Sequence, residues 1–179
     1  MDFKSQIILL VEDNPGDVVI FKKFAQEAGI RNPVPVARTG QEVVDYLAGS
    51  GIYADRKQYP LPILVVLDLK LPLRDGFEVL EWMRAQPRLS ELDVIALTSS
   101  SETRDVSRAR ELGVLSYLVK PPAVETLQHV AEALRQRQLQ PGYWPRISDC
   151  LFASTLEPER TLSSTTYTGI GNQPLETTG

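Results

Sequence analysis

Acidic, hydroxyl and amine side chains follow four of the apolar runs in this sequence. The run before Asp68, residues 63–67, is made of Leu and β-branched residues, which is typical of a strand buried on both faces of a parallel sheet. The carboxyl ends of parallel strands meet at one edge, where open α/β sheets bind ligands. We therefore predict one site, built for a metal ion and a phosphoryl group. Its residues at the strand ends are Glu12 and Asp13, Asp68, Thr98 and Lys120.

The side chains of this predicted site suit phosphoryl transfer to an aspartate. Mg²⁺ prefers hard oxygen ligands, and Asp13 and Asp68 could supply them if their strands are neighbours. An aspartate can act as the nucleophile and form an aspartyl phosphate, and positioned cations stabilise the charge on the phosphoryl oxygens. Mg²⁺, the Lys120 ammonium and the Thr98 hydroxyl would each serve one of those oxygens. A single acid at a strand end is more often a helix cap, so the prediction depends on all the positions together.

Strand-like and helix-like patterns alternate five times between about residue 6 and residue 138. This order predicts a doubly wound, five-stranded parallel sheet with helices on both faces. Asn14 and Thr39 are predicted helix N-caps, and Gly29 and Gly49 are predicted helix ends. Pro35 places the second strand near an edge of the sheet, because proline cannot donate to a β-ladder. Residues 50–62 form a connection longer than most in compact domains.

The composition divides the 179 residues into a domain, residues 1–138, and a C-terminal extension, residues 139–179. The extension is rich in Ser, Thr, Gly and Pro and is predicted to be partly disordered, since it cannot bury enough apolar surface to offset the entropy of ordering. Apolar and aromatic residues between Tyr143 and Phe152 are the exception, and they could dock on the domain or on a partner.

Charge and composition exclude several classes of protein. The net charge of −4 gives no electrostatic footprint for nucleic acid, and the extension is too short and too acidic for a DNA-binding domain. A single cysteine, Cys150, excludes an internal disulfide. No apolar run approaches the roughly 20 residues that span a bilayer, and the N-terminus lacks a secretory signal pattern. We expect a cytoplasmic protein that binds neither nucleic acid nor membrane.

The chain resembles the receiver domain of a two-component response regulator. It is most similar to the single-domain type that partners phytochrome-like histidine kinases, because of residues 10–17, Leu-Val-Glu-Asp-Asn-Pro-Gly-Asp, and the long connection before the third strand. The resemblance covers residues 6–137 and implies a flavodoxin-like (βα)5 fold. It also implies a phospho-switch that accepts a phosphoryl group, with Mg²⁺, from a sensor histidine kinase or a phosphotransfer protein. Such a protein is not an enzyme beyond catalysing its own phosphorylation and dephosphorylation.

The resemblance assigns a role to each residue of the predicted site. Two positions depart from the family pattern: Pro122 stands where Phe is frequent, and the cationic Lys70 leaves the lifetime of the phosphoryl group open. By this resemblance, Asp68 is the phosphoacceptor, and the Mg²⁺ ligands are Glu12, Asp13, Asp68 and the Lys70 backbone carbonyl. Thr98 is the switch hydroxyl, and Tyr117 is the aromatic ring that turns inward when Thr98 moves. Lys120 is the family's lysine and is followed by a cis peptide to Pro121.

Three other functions are compatible with a strand-end aspartate on this type of fold. Phosphohydrolases of the haloacid dehalogenase class place a second acid two residues after the nucleophile, where this chain has Lys70. A flavodoxin would need a phosphate loop rich in Ser, Thr and Gly at residues 12–15. A receiver that serves only as a phosphorylation-independent docking module stays open, because an intact site does not prove its use. A phospho-switch without an effector domain would report through the fourth helix, fifth strand and fifth helix, either by forming a homodimer or by docking to an output partner.

Overall fold

The computed structural model describes residues 6–99 and 103–139, which form a parallel sheet covered by helices on both faces. The strand order is β2-β1-β3-β4-β5, and every neighbouring pair is parallel. The predicted doubly wound fold is therefore confirmed. The elements are β1 (Ile8–Val11), α1 (Pro15–Glu27), β2 (Val36–Ala37), α2 (Gly40–Ala48), β3 (Leu64–Asp68), α3 (Gly76–Ala85), β4 (Val94–Thr98), α4 (Thr103–Glu111), β5 (Ser116–Val119) and α5 (Val124–Leu139).

The apolar core lies on both faces of the sheet because consecutive strand residues point to opposite sides. In β3, Val65 and Leu67 belong to the cluster under α2, α3 and α4, whereas Leu64 and Val66 belong to the cluster under α1 and α5. Every residue of β1, β3 and β4 is buried. This two-sided burial explains why these strands are uninterrupted apolar runs in the sequence.

Side-chain caps fix where the helices begin at the carboxyl edge of the sheet. The Asn14 side chain accepts hydrogen bonds from the first N–H groups of α1, and Thr39 does the same for α2, as predicted. Gly49 ends α2 with a left-handed φ of 73°. Asp75 and Glu78 form a full capping box at α3, a cap that the sequence analysis did not single out.

The connection before β3 is ordered by an aromatic cluster and one arginine. A 3₁₀ turn, Gly51–Ala54, leads into it. The rings of Tyr46, Tyr53 and Tyr59 lie with centroids 5.0 to 6.0 Å apart. Arg56 donates hydrogen bonds of 2.7 and 2.8 Å to two carbonyl groups near the C-terminal end of α2. The connection is therefore a packed part of the domain, despite its length.

Arg84, on α3, joins two loops at the opposite end of the molecule from the predicted site. Its guanidinium donates to the carbonyl groups of Ser90 and Leu92 before β4, at 2.8 and 3.0 Å. It also donates to the carbonyl groups of Leu112 and Gly113 after α4, at 2.8 and 2.9 Å. A single side chain thus fixes the C-terminal end of α4 to α3.

Apart from Leu139, the C-terminal extension of residues 139–179 lies outside the described residues. The partial disorder predicted for the extension, and the docking predicted for the segment from Tyr143 to Phe152, therefore stay predictions. Among the helices that the structure describes, none has the length and apolar character needed to cross a membrane.

Candidate functional site

Asp68 is the last residue of β3, in the centre of the sheet, and only 3% of its surface is exposed. One carboxylate oxygen, Oδ1, accepts a hydrogen bond of 2.9 Å from the backbone N–H of Lys70. The other, Oδ2, lies 2.7 Å from Nζ of Lys120. Both oxygens therefore have a donor, which fixes the orientation of the carboxylate.

Glu12 and Asp13 lie beside Asp68 because their strand pairs with β3. The register pairs Val11 with Leu67, so the residues that follow each strand are neighbours at the carboxyl edge. Carboxylate oxygens of Glu12, Asp13 and Asp68 lie within 4.8 Å of one another. Glu12 is fully buried and Asp13 is exposed. The predicted convergence of the three acids is present in the structure.

Lys120 brings the end of β5 into the same site. Its Nζ atom lies 2.5 Å from Oε2 of Glu12 and 2.7 Å from Oδ2 of Asp68. A third carboxylate, that of Asp17 on the first turn of α1, lies 3.2 Å away. The Lys120–Pro121 peptide is cis, as the resemblance implied. Asp17 was not predicted, although its place three residues after the Asn14 cap puts it where α1 begins at the site.

Burial and ion pairing oppose each other in this group of charges. Burial raises the pKa of Glu12, and the nearby Lys120 ammonium only partly offsets that effect. Burial alone would lower the pKa of Lys120, but the hydrogen bonds and charges of Asp68 and Glu12 outweigh it and raise the pKa. Lys120 therefore carries its positive charge at neutral pH.

Thr98 and Tyr117 lie on the neighbouring strands β4 and β5. Thr98 ends β4, between the strands that carry Asp68 and Lys120, and is fully buried. Its carbonyl accepts a hydrogen bond of 2.8 Å from the Lys120 N–H. Tyr117 lies on β5 opposite Ala96 and is also fully buried. The Tyr117 ring thus belongs to the core in the conformation that the structure describes.

The loop after Asp68 is tightly packed against its own strand. A Cβ atom on Gly76 would lie 2.4 Å from the Asp68 carbonyl oxygen, so only glycine fits there. Leu73 has a positive φ of 68°, and the N–H of Arg74 donates to the Pro72 carbonyl at 2.8 Å, which closes a γ-turn around Leu73. This packing fixes the backbone that predicted metal ligation would use.

The acids of the site fit a divalent cation. Within the described residues, Oε2 of Glu12 makes no hydrogen bond of good geometry, and its contact is the ion pair with Lys120. The Lys120 ammonium contacts three carboxylates, those of Glu12, Asp17 and Asp68. The Asp13 carboxylate lies beside those of Glu12 and Asp68. The resulting negative charge is relieved when a cation binds, and exposed Asp13 offers access from solvent.

Comparison with known proteins agrees with this geometry. Residues 8–132 match the response regulator receiver domain family. The response regulator Rcp1 of Synechocystis sp. is 31% identical over 135 residues, which are 75% of this chain and 90% of Rcp1. The similarity to single-domain regulators drawn from residues 10–17 is thereby confirmed.

Solved structures show the same fold. The Mn²⁺-bound form of Rcp1 matches with a TM-score of 0.62 and 31% identity, covering 78% of this chain and 99% of that one. The phosphorylated cyanobacterial phytochrome response regulator RcpA gives 0.63 and 29%, covering 78% and 98%. The bacteriophytochrome response regulator AtBRR gives 0.62 and 38%, covering 79% and 96%.

Proposed function

The chain belongs to the response regulator receiver domains of two-component signalling, and from this premise we propose that Asp68 accepts one phosphoryl group from a histidine kinase or a phosphotransfer protein. The observation that carries the proposal is the buried Asp68 carboxylate, held by Lys120 and placed within 4.8 Å of two further acids. The likeness to phytochrome response regulators favours a phytochrome-like kinase as the donor. The proposed catalysis is limited to the protein's own phosphorylation and dephosphorylation.

We propose that Mg²⁺ is the cofactor and that four groups hold it. They are the carboxylates of Glu12, Asp13 and Asp68 and the backbone carbonyl of Lys70. The carboxylate oxygens lie close enough together to share one ion, and a relative has been solved with Mn²⁺. When bound, the ion supplies positive charge next to the phosphoryl oxygens and reduces repulsion among the acids.

Residues of the site would act both on the attacking Asp68 carboxylate and on the incoming phosphoryl group. An oxygen of Asp68 forms a bond to phosphorus, and the bond from phosphorus to the donor atom breaks, with its electron pair leaving on the donor. The Lys120 ammonium pairs with Oδ2 of Asp68 before the transfer. During the transfer it would leave that oxygen and pair with an oxygen of the phosphoryl group. The Thr98 hydroxyl, at the end of the adjacent strand, would donate to another phosphoryl oxygen.

The switch would then report through α4, β5 and α5. When Thr98 moves toward the phosphoryl group, it vacates the space that its side chain occupied. Tyr117 is the aromatic ring on the adjacent strand, β5. Because the ring is already inside the core, we propose that the outward position belongs to the alternative state of the switch. The reader of this surface would be a second copy of the chain or an output protein, not nucleic acid.

Intact-protein mass spectrometry tests the phosphoacceptor. With Mg²⁺ and acetyl phosphate, the wild type should gain one phosphoryl group and Asp68→Asn should gain none. Asp55→Asn is the matched control, because Asp55 is an exposed aspartate in the connection before β3. Equal labelling of the wild type and Asp68→Asn would remove Asp68 as the acceptor.

Sedimentation distinguishes a phospho-switch from a docking module that ignores phosphorylation. A beryllofluoride complex should change self-association or partner binding in the wild type, and this change should be lost in Tyr117→Ala. If binding is the same with and without beryllofluoride in both proteins, the docking module is the better description.

A further inference from the structure

Asp17 is the outermost of the three carboxylates that contact the Lys120 ammonium. Its side chain is 35% exposed, whereas those of Glu12 and Asp68 are 1% and 5% exposed. The contact of 3.2 Å is also the longest of the three. The ammonium therefore lies between a buried pair of acids and one acid at the mouth of the site.

The position of Asp17 is built into the start of α1. The Asn14 side chain accepts hydrogen bonds from the N–H of Gly16 at 2.8 Å and from that of Asp17 at 3.4 Å. The cap thus fixes the backbone of Asp17 within the first turn of α1, close in sequence to Glu12 at the end of β1. The Asp17 carboxylate reaches across the site to Lys120, 103 residues further along the chain.

Both oxygens of Asp68 are occupied before any transfer takes place. Oδ1 accepts from the Lys70 N–H, and Oδ2 pairs with Lys120. A carboxylate held by an ammonium is a poorer nucleophile, since the charge needed for attack is already stabilised. Phosphoryl transfer therefore requires the ammonium to move away from Asp68 toward the incoming oxygens.

Building on the proposed function, we propose that Asp17 is a positioning residue that draws the Lys120 ammonium toward the mouth of the site, so that it can leave Asp68 and pair with the incoming phosphoryl group. Without the Asp17 charge, Lys120 has only Glu12 and Asp68 as carboxylate partners among the contacts that the structure describes. It then lies deeper and holds the nucleophile more firmly.

An acid in the first turn of a helix also stabilises that helix through the helix dipole, and this purely structural role must be separated from positioning. Glu125, an exposed acid in the first turn of α5, provides the comparison. Glu125→Gln removes a first-turn charge that, within the described residues, forms no ion pair with Lys120. Thermal unfolding of each variant measures the loss of stability separately from the rate of phosphorylation.

The test follows the rate of Asp68 phosphorylation as the concentration of acetyl phosphate is varied at saturating Mg²⁺. In Asp17→Asn the maximal rate constant should fall about three- to fivefold, the range for one partly exposed ion pair. The donor concentration at half-maximal rate should stay the same or fall, since a negative charge facing the anionic donor has been removed. Asp17→Glu should restore the rate to within about twofold, and Glu125→Gln should leave it unchanged.

Three results would overturn the positioning role. They are an unchanged or faster maximal rate constant in Asp17→Asn, a rise only in the half-maximal donor concentration, and an equal loss in Glu125→Gln. Asp17→Ser, which also lacks the charge, repeats the measurement if Asp17→Asn unfolds at the assay temperature. Failure of the wild type to label at Asp68 would instead remove the proposed function, so the two failures are distinguishable.

Discussion

The Lys120 ammonium lies 2.7 Å from Oδ2 of Asp68, although 52 residues and one intervening strand separate the two. Both side chains are nearly buried, at 12% and 5% exposure. A buried charge without a partner is costly, so the two opposite charges stabilise each other in the folded protein. The same ion pair therefore affects both the stability of the domain and the reactivity of Asp68.

Lys120→Met should destabilise the metal-free protein by about 3 kcal/mol at pH 7.5, because it leaves two buried carboxylates without their cation. Urea unfolding gives the measurement. Added Mg²⁺ should restore part of the loss, since a bound cation replaces the missing positive charge. Lys57→Met removes an exposed lysine and should change stability by less than about 0.5 kcal/mol. A Lys120→Met protein as stable as the wild type would contradict the coupling.

Asp13→Asn should weaken Mg²⁺ binding about tenfold, because one hard ligand loses its charge while the fold is left intact. Asp13 is exposed, so little packing is disturbed. Calorimetric titration of Mg²⁺ into the wild type, Asp13→Asn and the control Asp55→Asn measures the effect. The same affinity in all three proteins would mean that the ion binds elsewhere or without Asp13.

The sequence was sufficient for the sheet and for the groups at its carboxyl edge. Asp68, Thr98 and Lys120 each follow an apolar run, so the position of the strand fixes the position of the side chain. The order β2-β1-β3-β4-β5 then brings these ends together. Here a local pattern determines a long-range arrangement, because all the strands run in the same direction.

Asp17 and Arg84 escaped prediction for a different reason. Each lies on a helix, where a charged residue is usually a solvated surface group. Their partners, the Lys120 ammonium for Asp17 and two loops for Arg84, are distant in sequence. Only the packing of α1 and α3 against the sheet places them there, and a periodic pattern carries no information about which distant group a side chain meets.

Stability should depend on pH through Glu12 in the absence of Mg²⁺. Burial raises the pKa of Glu12 above its ordinary value of about 4.5, so the native state binds a proton more readily than the unfolded chain. The corresponding stability is present below the unfolded pKa and is lost as the pH rises through the folded pKa. Glu12→Gln has no such titration.

Unfolding in urea at a series of pH values from about 4 to about 7.5 tests this dependence. The stability of Glu12→Gln relative to the wild type should increase with pH across that window. Glu125→Gln, at an exposed first-turn position, should follow the wild type throughout. A relative stability of Glu12→Gln that is flat or falls with pH would contradict a raised pKa at Glu12.

Arg84→Met should destabilise the protein by about 2–3 kcal/mol, because several carbonyl groups, most of them partly buried, lose their donor while the alkyl stem is replaced. The loss should be concentrated at the C-terminal end of α4, since Arg84 donates there to the carbonyl groups of Leu112 and Gly113. Arg88→Met is the matched control, an exposed arginine that follows the same helix. Urea unfolding measures the global effect.

Hydrogen exchange shows where the Arg84 contacts act. Amide exchange near Leu112 to Val114 should accelerate in Arg84→Met far more than at β3, which lies at the centre of the sheet. Farther along α4, Arg108 still pairs with Glu81 at 2.8 Å, so the middle of the helix should keep its protection. Uniform acceleration along the whole chain would mean that Arg84 supports global stability alone. Local acceleration would show that Arg84 stabilises the C-terminal end of α4 specifically.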